Sequence, residues 1–328
     1  MAGERFTVII VNYNGGAMLL DCVRSALAEG VPAQQVIVVD NGSGDDSIPL
    51  LTSQVPQAVV IRNPCNAGFA RAVNQGLRRV GTDFALLLNN DAQLQPGALA
   101  AFARVFAQRP RLALAGGQLL YADGRRQNSV AAIPTLTTEI VPKALLKLIQ
   151  PRRYSGKLES DRPVAVESVI GACLAVRIAV LAEVGFLDED FFFYMEETEW
   201  CLRARRRGYE VFYVPAARAV HTQGKTANTF RAQARIEFQR SKLKFFAKVG
   251  KPSTYHVVLM LLAAKALINV LANSALCLAT LCLDKRQRLK TRGYWTVLMW
   301  YVARRPPSWG LPGKCASSEF KKITSRYE

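Results

Sequence analysis

The chain has 328 residues, half of them apolar and 21% charged, which is ordinary for a globular protein with one large or two small domains. Its net charge of +18 is unevenly placed: residues 1–200 carry 18 Lys and Arg against 20 Asp and Glu, and residues 201–328 carry 25 against 5. Seven cysteines without CxxC spacing and only two histidines make a zinc site or a disulfide framework unexpected, and a reducing compartment fits better.

This charge division gives the two parts of the chain different expected roles. A near-neutral first part that carries carboxylates suits an enzyme core, and a basic second part suits an anionic partner, either nucleic acid or membrane phosphates. The N-terminal apolar run FTVIIVN is too short for a signal peptide, so none is expected.

The first 120 residues alternate between strand and helix patterns. Strands are predicted at Phe6–Val11, Gln35–Asp40, Ala58–Arg62, Asp83–Leu88 and Leu112–Leu119, and helices at Ala17–Ala28, Ala67–Val80 and Pro96–Gln108. This alternation indicates an α/β fold, with a mostly parallel sheet and helices on both faces. Because such sheets bind ligands at the carboxyl ends of their strands, functional residues are expected directly after the strands.

Polar residues do follow four of these strands, at Asn12-Tyr13-Asn14, Asp40-Asn41-Gly42, Asn63 to Gly68 and Asn89-Asn90-Asp91. Asp91 is placed to bind a hard divalent cation, although a turn-capping Asp would have the same pattern. Asp40 would accept a hydrogen bond from a nucleobase or ribose, or cap the next helix. The small residues around Gly68 allow phosphate to approach a helix N-terminus. Neither GxGxxG nor GxxxxGK[ST] occurs, so a dinucleotide fold and a P-loop have no support.

The later part of the chain is less regular until residue 166. Residues 120–165 are interpreted as loops and a short helix over the site, and ordered structure is expected to return at residues 166–176. The segment Gly185–Tyr209 then interleaves six carboxylates with aromatic residues, followed by a helix at Glu196–Arg207. Clustered carboxylates usually mark a solvated helix start, but a carboxylate in an apolar wall has a raised pKa and can act as a general base.

These segments resemble the family 2 glycosyltransferases, and most closely their bacterial rhamnosyltransferase-like branch. The resemblance covers about residues 5–226 and rests on six motifs in order: VNYN, VVDNGS, NAGFARAVNQG, LLLNNDA, GACLAVR and GFLDEDFFFYMEETEWCLRARRRGY. It implies a GT-A catalytic domain over residues 1–245 and an inverting, single-displacement transfer from a nucleotide-diphosphate sugar.

The resemblance also assigns roles to positions of this chain. Asp40 would recognise a pyrimidine base, and the other implied donor-binding residues are Asn12, Tyr13, Asn14, Asn66, Gly68, Asn74, Asn90 and Arg203. A divalent metal, Mg²⁺ or Mn²⁺, would rest on Asp91, because Asn89 stands where the family often has its first Asp. His221 matches a family histidine that often reaches the metal, although a lone histidine after a strand is usually structural.

The implied catalytic base is Glu197, with Glu196 as the alternative. A Glu stands here in place of the family's usual Asp, which changes the geometry of the base. Arg203, in the CLR sequence, would form an ion pair with these carboxylates or reach the acceptor.

Residues 246–328 are expected to form a basic, apolar helical region that associates with a membrane. Residues 257–283 are long enough to span a bilayer, but Lys265, Asn269 and Asn273 draw a polar stripe along one helix face. The aromatic-rich segment Gly293–Ala303 is too short to span and suits a headgroup interface. Helices that lie in or dip into the cytoplasmic leaflet, bound to anionic lipid, are favoured; a spanning helix and a soluble subdomain are the alternatives.

The expected function is transfer of rhamnose or a related hexose from a dTDP- or UDP-sugar to a hydroxyl of a lipid-linked glycan. The expected location is the cytoplasmic face of the bacterial inner membrane, peripheral or shallowly inserted. The alternative is a catalytically degenerate scaffold that binds a sugar nucleotide. No nucleic-acid partner is expected because no recognition motif accompanies the basic tail, and a nucleotidyltransferase would need a glycine-rich triphosphate loop.

Overall fold

The computed structural model describes residues 2–222 and 231–315. Its first half confirms the alternation of strands and helices, and adds a helix, α2, and a short strand, β5. The elements are β1 Phe6–Asn12, α1 Ala17–Ala28, β2 Val36–Asp40, α2 Ser47–Gln54, β3 Val59–Arg62, α3 Phe69–Leu77, β4 Phe84–Asn89, β5 Ala92–Leu94, α4 Ala98–Gln108 and β6 Leu112–Leu120.

The second half begins with short elements and ends with long helices. The elements are β7 Val130–Ala131, α5 Leu136–Ile140, α6 Lys143–Ile149, α7 Pro151–Tyr154, β8 Val164–Ala165, β9 Ser168–Val169, β10 Cys173–Arg177, α8 Leu181–Val184, α9 Glu196–Arg206, β11 Glu210–His221, α10 Arg231–Val249, α11 Pro252–Ala279 and α12 Lys285–Val302. The region where ordered structure was expected to return, residues 166–176, contains β9 and the start of β10, which belong to different sheets. The end of the family resemblance, at residues 223–226, lies outside the described residues.

The main sheet has the order β3-β2-β1-β4-β10-β6-β11-β5, and β8 also pairs with β11. Its first four strands are parallel, whereas β10 runs antiparallel between β4 and β6. The register pairs Asn12 with Asp40 and Val11 with Asn89. The strand ends that carry the predicted site residues therefore meet at one edge of the sheet.

Helices cover both faces of this sheet, as predicted. On one face α1 and α4 pack through residues such as Leu19 and Phe102, which are fully buried. On the other face α3 and α9 pack through Val73 and Trp200. Burial of these two apolar layers fixes the strand ends in place, which gives the polar edge a rigid support.

Helices α10, α11 and α12 form a third apolar cluster that includes Phe245, Leu262 and Trp300, together with Phe191 from the loop before α9. Helix α10 runs through residue 245, where the domain boundary was predicted. Helix α11 has 28 residues and contains an 18-residue stretch with a mean hydropathy of 1.9, so it is long and apolar enough to cross a bilayer.

After α12 the chain returns to the edge of the sheet. Cys315 forms a disulfide with Cys65, and Asn66 pairs with the same terminal segment, donating its N–H to Gly313 O at 3.0 Å. The expectation that the cysteines stay unpaired was therefore wrong for these two. They are 250 residues apart in the sequence, so their spacing gave no sign that the fold brings them together.

Candidate active site

A polar network connects the ends of β1, β2 and β4. Asn12 is fully buried, and its Nδ2 lies 3.1 Å from Asp40 Oδ1 and 2.9 Å from Ser47 Oγ. Its Oδ1 accepts a hydrogen bond of 2.9 Å from Asn90 Nδ2. Asn12 therefore fixes Asp40 and Asn90 relative to each other, and it is itself withdrawn from solvent.

The loop after β2 closes around Asp40. Ser43 Oγ donates to Asp40 Oδ1 at 2.5 Å and accepts the N–H of Asn14 at 2.9 Å. Asn14 has a left-handed φ of 53°, and its Oδ1 accepts the N–H of Gly44. These hydrogen bonds use only part of the acceptor capacity of the Asp40 carboxylate, so the carboxylate can still accept a hydrogen bond from a ligand.

A second amide network supports the segment before α3. Asn63 and Gln75 exchange two hydrogen bonds of 2.9 Å, and Asn41 Nδ2 donates to Gly68 O at 3.2 Å. Gly68 has φ 91°, and a Cβ placed there would lie 2.8 Å from Phe192 O. Only glycine suits both the conformation and the close approach, so this position requires Gly for packing against the loop before α9.

Asp91 and His221 lie together, although the sequence separates them by 130 residues. Asp91 Oδ1 is 3.2 Å from His221 Nε2, and both side chains are largely buried. Asn89 Nδ2 is 3.4 Å from the same histidine nitrogen. The strand ends of β4 and β11 create this cluster, because β5 returns from β4 and pairs with β11.

Gln127 determines which ring nitrogen carries the proton in neutral His221. Its Nε2 donates to the carbonyls of Leu120 and His221, which leaves its Oε1 as the acceptor for His221 Nδ1 at 3.1 Å. In neutral His221 the proton is then on Nδ1, and the Nε2 lone pair faces the Asp91 carboxylate. The lone pairs of His221 Nε2 and of the Asp91 carboxylate repel each other unless a cation lies between them, so these residues fit a divalent metal.

Among the described residues no three His, Cys, Asp or Glu side chains converge on one point. Asp91 and His221 are thus the side chains that would hold a divalent metal at this strand end, where it would supply positive charge.

Glu196 and Glu197 begin α9, and the pKa values of both carboxyl groups are raised. Burial, and then the charge of Glu197, raise the pKa of Glu196 well above the usual range. Burial also raises the pKa of Glu197, but the backbone N–H groups of Gly171 and Thr198 oppose this shift. One carboxylate oxygen of each, Oε2, is buried without a hydrogen-bond partner in the described part of the chain. The predicted interleaving of carboxylates with an apolar wall is confirmed at these two residues.

Glu197 lies beside the end of β4. A Cβ placed on Gly171 would lie 3.7 Å from Glu197 Cβ, and the next residue, Ala172, accepts the N–H of Asn89 at 3.0 Å. The carboxylate pair and the Asp91–His221 pair therefore border the same strand end. Two non-glycine residues with left-handed φ, Tyr194 at 71° and Met195 at 70°, precede α9. Backbone strain of this kind costs about 1–3 kcal/mol per residue and clusters at functional sites.

Two predicted donor residues brace the loop between α8 and α9. Asn74 is buried and bonded to both backbone groups of Leu187, at 2.9 Å and 3.1 Å, and to Glu189. Arg203 bonds to Glu199 at 2.8 Å and to the carbonyls of Val184 and Phe186. The expected ion pair of Arg203 with Glu196 or Glu197 was wrong, because Glu199 is one helical turn before Arg203 on α9.

The C-terminal segment covers Tyr13. A Cβ placed on Gly313 would lie 2.5 Å from the Tyr13 hydroxyl, and Lys314 Nζ lies 4.3 Å from the ring centroid of Phe192 and 2.6 Å from Glu237 Oε2. Together with the disulfide, these contacts make the segment a wall of the site beside Asn66. No pattern in the sequence indicates this wall.

The family comparison now decides which class of protein this is. The model of the family described as Glycosyl transferase family 2 matches residues 7–185, more than half of the chain. The chain belongs to glycosyltransferase family 2. The predicted family is therefore confirmed, and the protein is a glycosyltransferase by membership.

The chain is also similar to a curated protein of Mycobacterium tuberculosis, the N-acetylglucosaminyl-diphospho-decaprenol L-rhamnosyltransferase. The two are 28% identical over 259 residues, which cover 73% of this chain and 83% of that protein.

Solved structures confirm the GT-A fold. A mannosyltransferase from Pyrobaculum calidifontis, in complex with GDP-Man and Mn²⁺, matches with a TM-score of 0.52 at 18% identity, over 92% of this chain and 86% of that chain. GalNAc-T7 with UDP, GalNAc and Mn²⁺ matches with a TM-score of 0.50 at 14% identity, over 66% of this chain and 43% of that chain. The chain therefore spans less than half of the GalNAc-T7 chain.

Proposed function

We propose that this glycosyltransferase inverts the anomeric configuration of a sugar while it moves that sugar from a pyrimidine nucleotide diphosphate to a lipid-linked acceptor. The observation that carries this proposal is the arrangement at the end of β4, where the Asp91–His221 pair and the Glu196–Glu197 pair border one strand end. A site for diphosphate charge and a site for proton removal are thus adjacent.

In this proposal the donor lies along the polar edge, with its base beside Asp40 and its diphosphate towards Asp91. Asn12 holds Asp40 in place. Tyr13, Asn14, Asn66 and Gly68 shape the surrounding wall, and Asn74 and Arg203 act by holding the loop that faces it. A dTDP- or UDP-sugar is proposed, and the rhamnosyltransferase relative favours rhamnose or a related hexose.

Asp91 and His221 would hold the divalent metal, with Gln127 orienting the histidine. When bound, the metal neutralises the negative charge that develops on the leaving diphosphate.

Glu197 is proposed as the base. Its interactions with the N–H groups of Gly171 and Thr198 favour the anion, whereas Glu196 lacks these two donors and retains its proton to higher pH. The Glu197 carboxylate takes the proton of the acceptor hydroxyl as its oxygen attacks the anomeric carbon, and the bond from that carbon to the diphosphate breaks. Attack from the face opposite the leaving group inverts the configuration.

The C-terminal helices support association with the cytoplasmic face of the inner membrane. On α11 the polar stripe faces inward: Asn273 is buried and its carbonyl accepts a hydrogen bond from Thr291 of α12 at 3.1 Å. The outward positions are apolar, with Met260 70% and Leu271 62% exposed. A helix with its polar residues inside and its apolar residues outside is stable where lipid surrounds it. The basic residues that begin α12 would contact anionic headgroups.

A thermal-shift panel of UDP-, dTDP- and GDP-sugars, with and without Mn²⁺, tests the donor site. A pyrimidine nucleotide sugar should raise Tm only with Mn²⁺, and Asp91→Asn should abolish this dependence. Asp123→Asn, the same change at an exposed carboxylate, is the matched control. If no nucleotide sugar stabilises the folded protein, the degenerate-scaffold alternative also fails, since it too requires this site; stabilisation without sugar transfer would favour the scaffold.

A further inference from the structure

A cavity of about 650 Å³ lies beside the candidate active site, between α5, α10, α11 and α12. Four cationic side chains line it, Arg231, Arg235, Lys242 and Lys265, against one carboxylate, Glu139. Glu139 is buried and is already paired with Lys242 at 2.9 Å and Lys265 at 3.6 Å. The two arginines are therefore in excess over the available carboxylate charge, so the cavity is prepared for an anion.

An aromatic ring of the cavity wall holds one of these arginines in position. The Arg235 guanidinium lies 4.3 Å from the ring centroid of Tyr294, which stacks it in place and leaves N–H groups for a ligand. Arginine is well suited to phosphate because its planar group offers paired N–H donors.

One wall of the cavity belongs to the loop that leads into α9, where the proposed catalytic base lies. Tyr194 lines the cavity and is two residues before Glu196, and its ring meets that of Phe238, another lining residue, at 5.5 Å. Burial, and then the charges of Glu196, Glu237 and Glu197, raise the pKa of Tyr194 to about 12.

The walls of the cavity carry apolar surface on their outer sides. Leu262 and Ala266 of α11 line the cavity, and Leu267, Ile268 and Leu271 on the outer side of the same helix are 47–63% exposed. On α5, Ile140 is 59% exposed, directly after the lining Glu139. A ligand with an anionic group in the cavity would thus have its apolar tail beside exposed apolar side chains.

We infer that this cavity binds the phosphate or diphosphate group of the lipid-linked acceptor, with Arg231 and Arg235 as its principal contacts. This inference rests on the proposed function for the identity of the acceptor. The anionic group is held between the lipid tail, which lies along α11, and the saccharide, whose hydroxyl reaches Glu197 past Tyr194. A free phosphate offers the same charge without a tail, and the test separates these sources.

Binding of farnesyl diphosphate in neutral detergent micelles to the full chain tests the inference, with inorganic diphosphate and phosphatidylglycerol in the same micelles as comparisons. The double variant R231Q/R235Q should raise the Kd for farnesyl diphosphate by about tenfold or more, because two charge-assisted contacts are lost. The matched control R79Q/R104Q, which removes two exposed charges in the first half of the chain, should change it less than about twofold. R231K/R235K keeps the charge but loses the planar paired donors, so it should restore only part of the affinity.

Farnesyl diphosphate should bind more tightly than inorganic diphosphate, since the tail contributes, and more tightly than phosphatidylglycerol. Equal sensitivity of phosphatidylglycerol to the double variant would overturn the inference in favour of a general anionic-lipid site. An unchanged Kd for farnesyl diphosphate in R231Q/R235Q would also overturn it, provided that the variant melts cooperatively. Stabilisation by the nucleotide sugar is measured on the same samples. If the nucleotide sugar does not stabilise wild type, the proposed function is refuted, but the assignment of the cavity stands.

Discussion

Replacement of Glu197 by Gln should make the protein more stable and almost inactive. The change keeps the shape of the side chain but removes a buried charge with one unpaired oxygen. A buried group without a partner costs more when it is charged, so loss of the charge should stabilise the fold by about 1–3 kcal/mol and raise Tm by about 2–6 °C. Loss of a general base should reduce kcat by about 10²- to 10⁴-fold.

The gain in stability should depend on pH. The pKa values of Glu196 and Glu197 are raised in the folded protein, so their contribution to stability is fully present below the unfolded-state pKa. It is lost as pH rises through the folded-state pKa values. Glu197→Gln removes one of these two titrations, so its Tm advantage over wild type should be larger at pH 8 than at pH 4.

Differential scanning calorimetry at both pH values and a transfer assay measure the two effects. Glu159→Gln, at an exposed carboxylate, should leave Tm and kcat unchanged. A Glu197→Gln protein with normal kcat would refute the base assignment, and one with lower Tm at pH 8 would refute the electrostatic argument. Glu196→Gln distinguishes the alternative base, since it should retain more activity than Glu197→Gln.

The remaining predictions concern pH, the metal and the disulfide. The acidic limb of the pH profile of kcat/KM should lie above the usual Glu pKa of 4.5, because the base must be ionised and its pKa is raised; a limb at or below 4.5 would contradict this. Gln127→Leu should weaken Mn²⁺ activation by about 10- to 100-fold without removing a ligand, as measured from the Mn²⁺ dependence of the transfer rate, and unchanged activation would mean that Gln127 does not orient His221. Cys315→Ser should lower the free energy of unfolding by about 2–4 kcal/mol and weaken donor binding, because the wall over Tyr13 is released. The free thiols Cys22 and Cys173 are buried, so Cys173→Ser is a control that leaves the wall intact, and equal donor affinity in Cys315→Ser and wild type would refute the role of the wall.

The sequence was informative where one local rule decides the structure. Asn12, Asp40 and Asp91 were predictable as edge residues because each follows a buried apolar strand, and parallel strands end at a common edge. Glu196 and Glu197 stood out because aromatic residues surround them in the sequence, and in the fold Glu196 is buried and Glu197 is partly buried.

Contacts made by tertiary packing were out of reach of the sequence. Gln127 lies in a segment without periodicity and meets His221 from 94 residues away, only because β6 and β11 are neighbours. The partner of Arg203 depended on whether Glu199 or the two preceding glutamates share its face of α9. The cavity likewise exists only where α10, α11 and α12 pack, and the polar stripe that includes Lys265 was the one local sign of it.

The most direct test of the central claim is the anomeric configuration of the product. The purified protein is incubated with dTDP-rhamnose, Mn²⁺ and a prenyl-diphosphate-linked N-acetylglucosamine, and the new glycosidic bond is examined by NMR. Inversion relative to the donor is the predicted result, and it should disappear in Glu197→Gln. Retention of configuration would contradict a single displacement that is driven by one carboxylate base beside the end of β4.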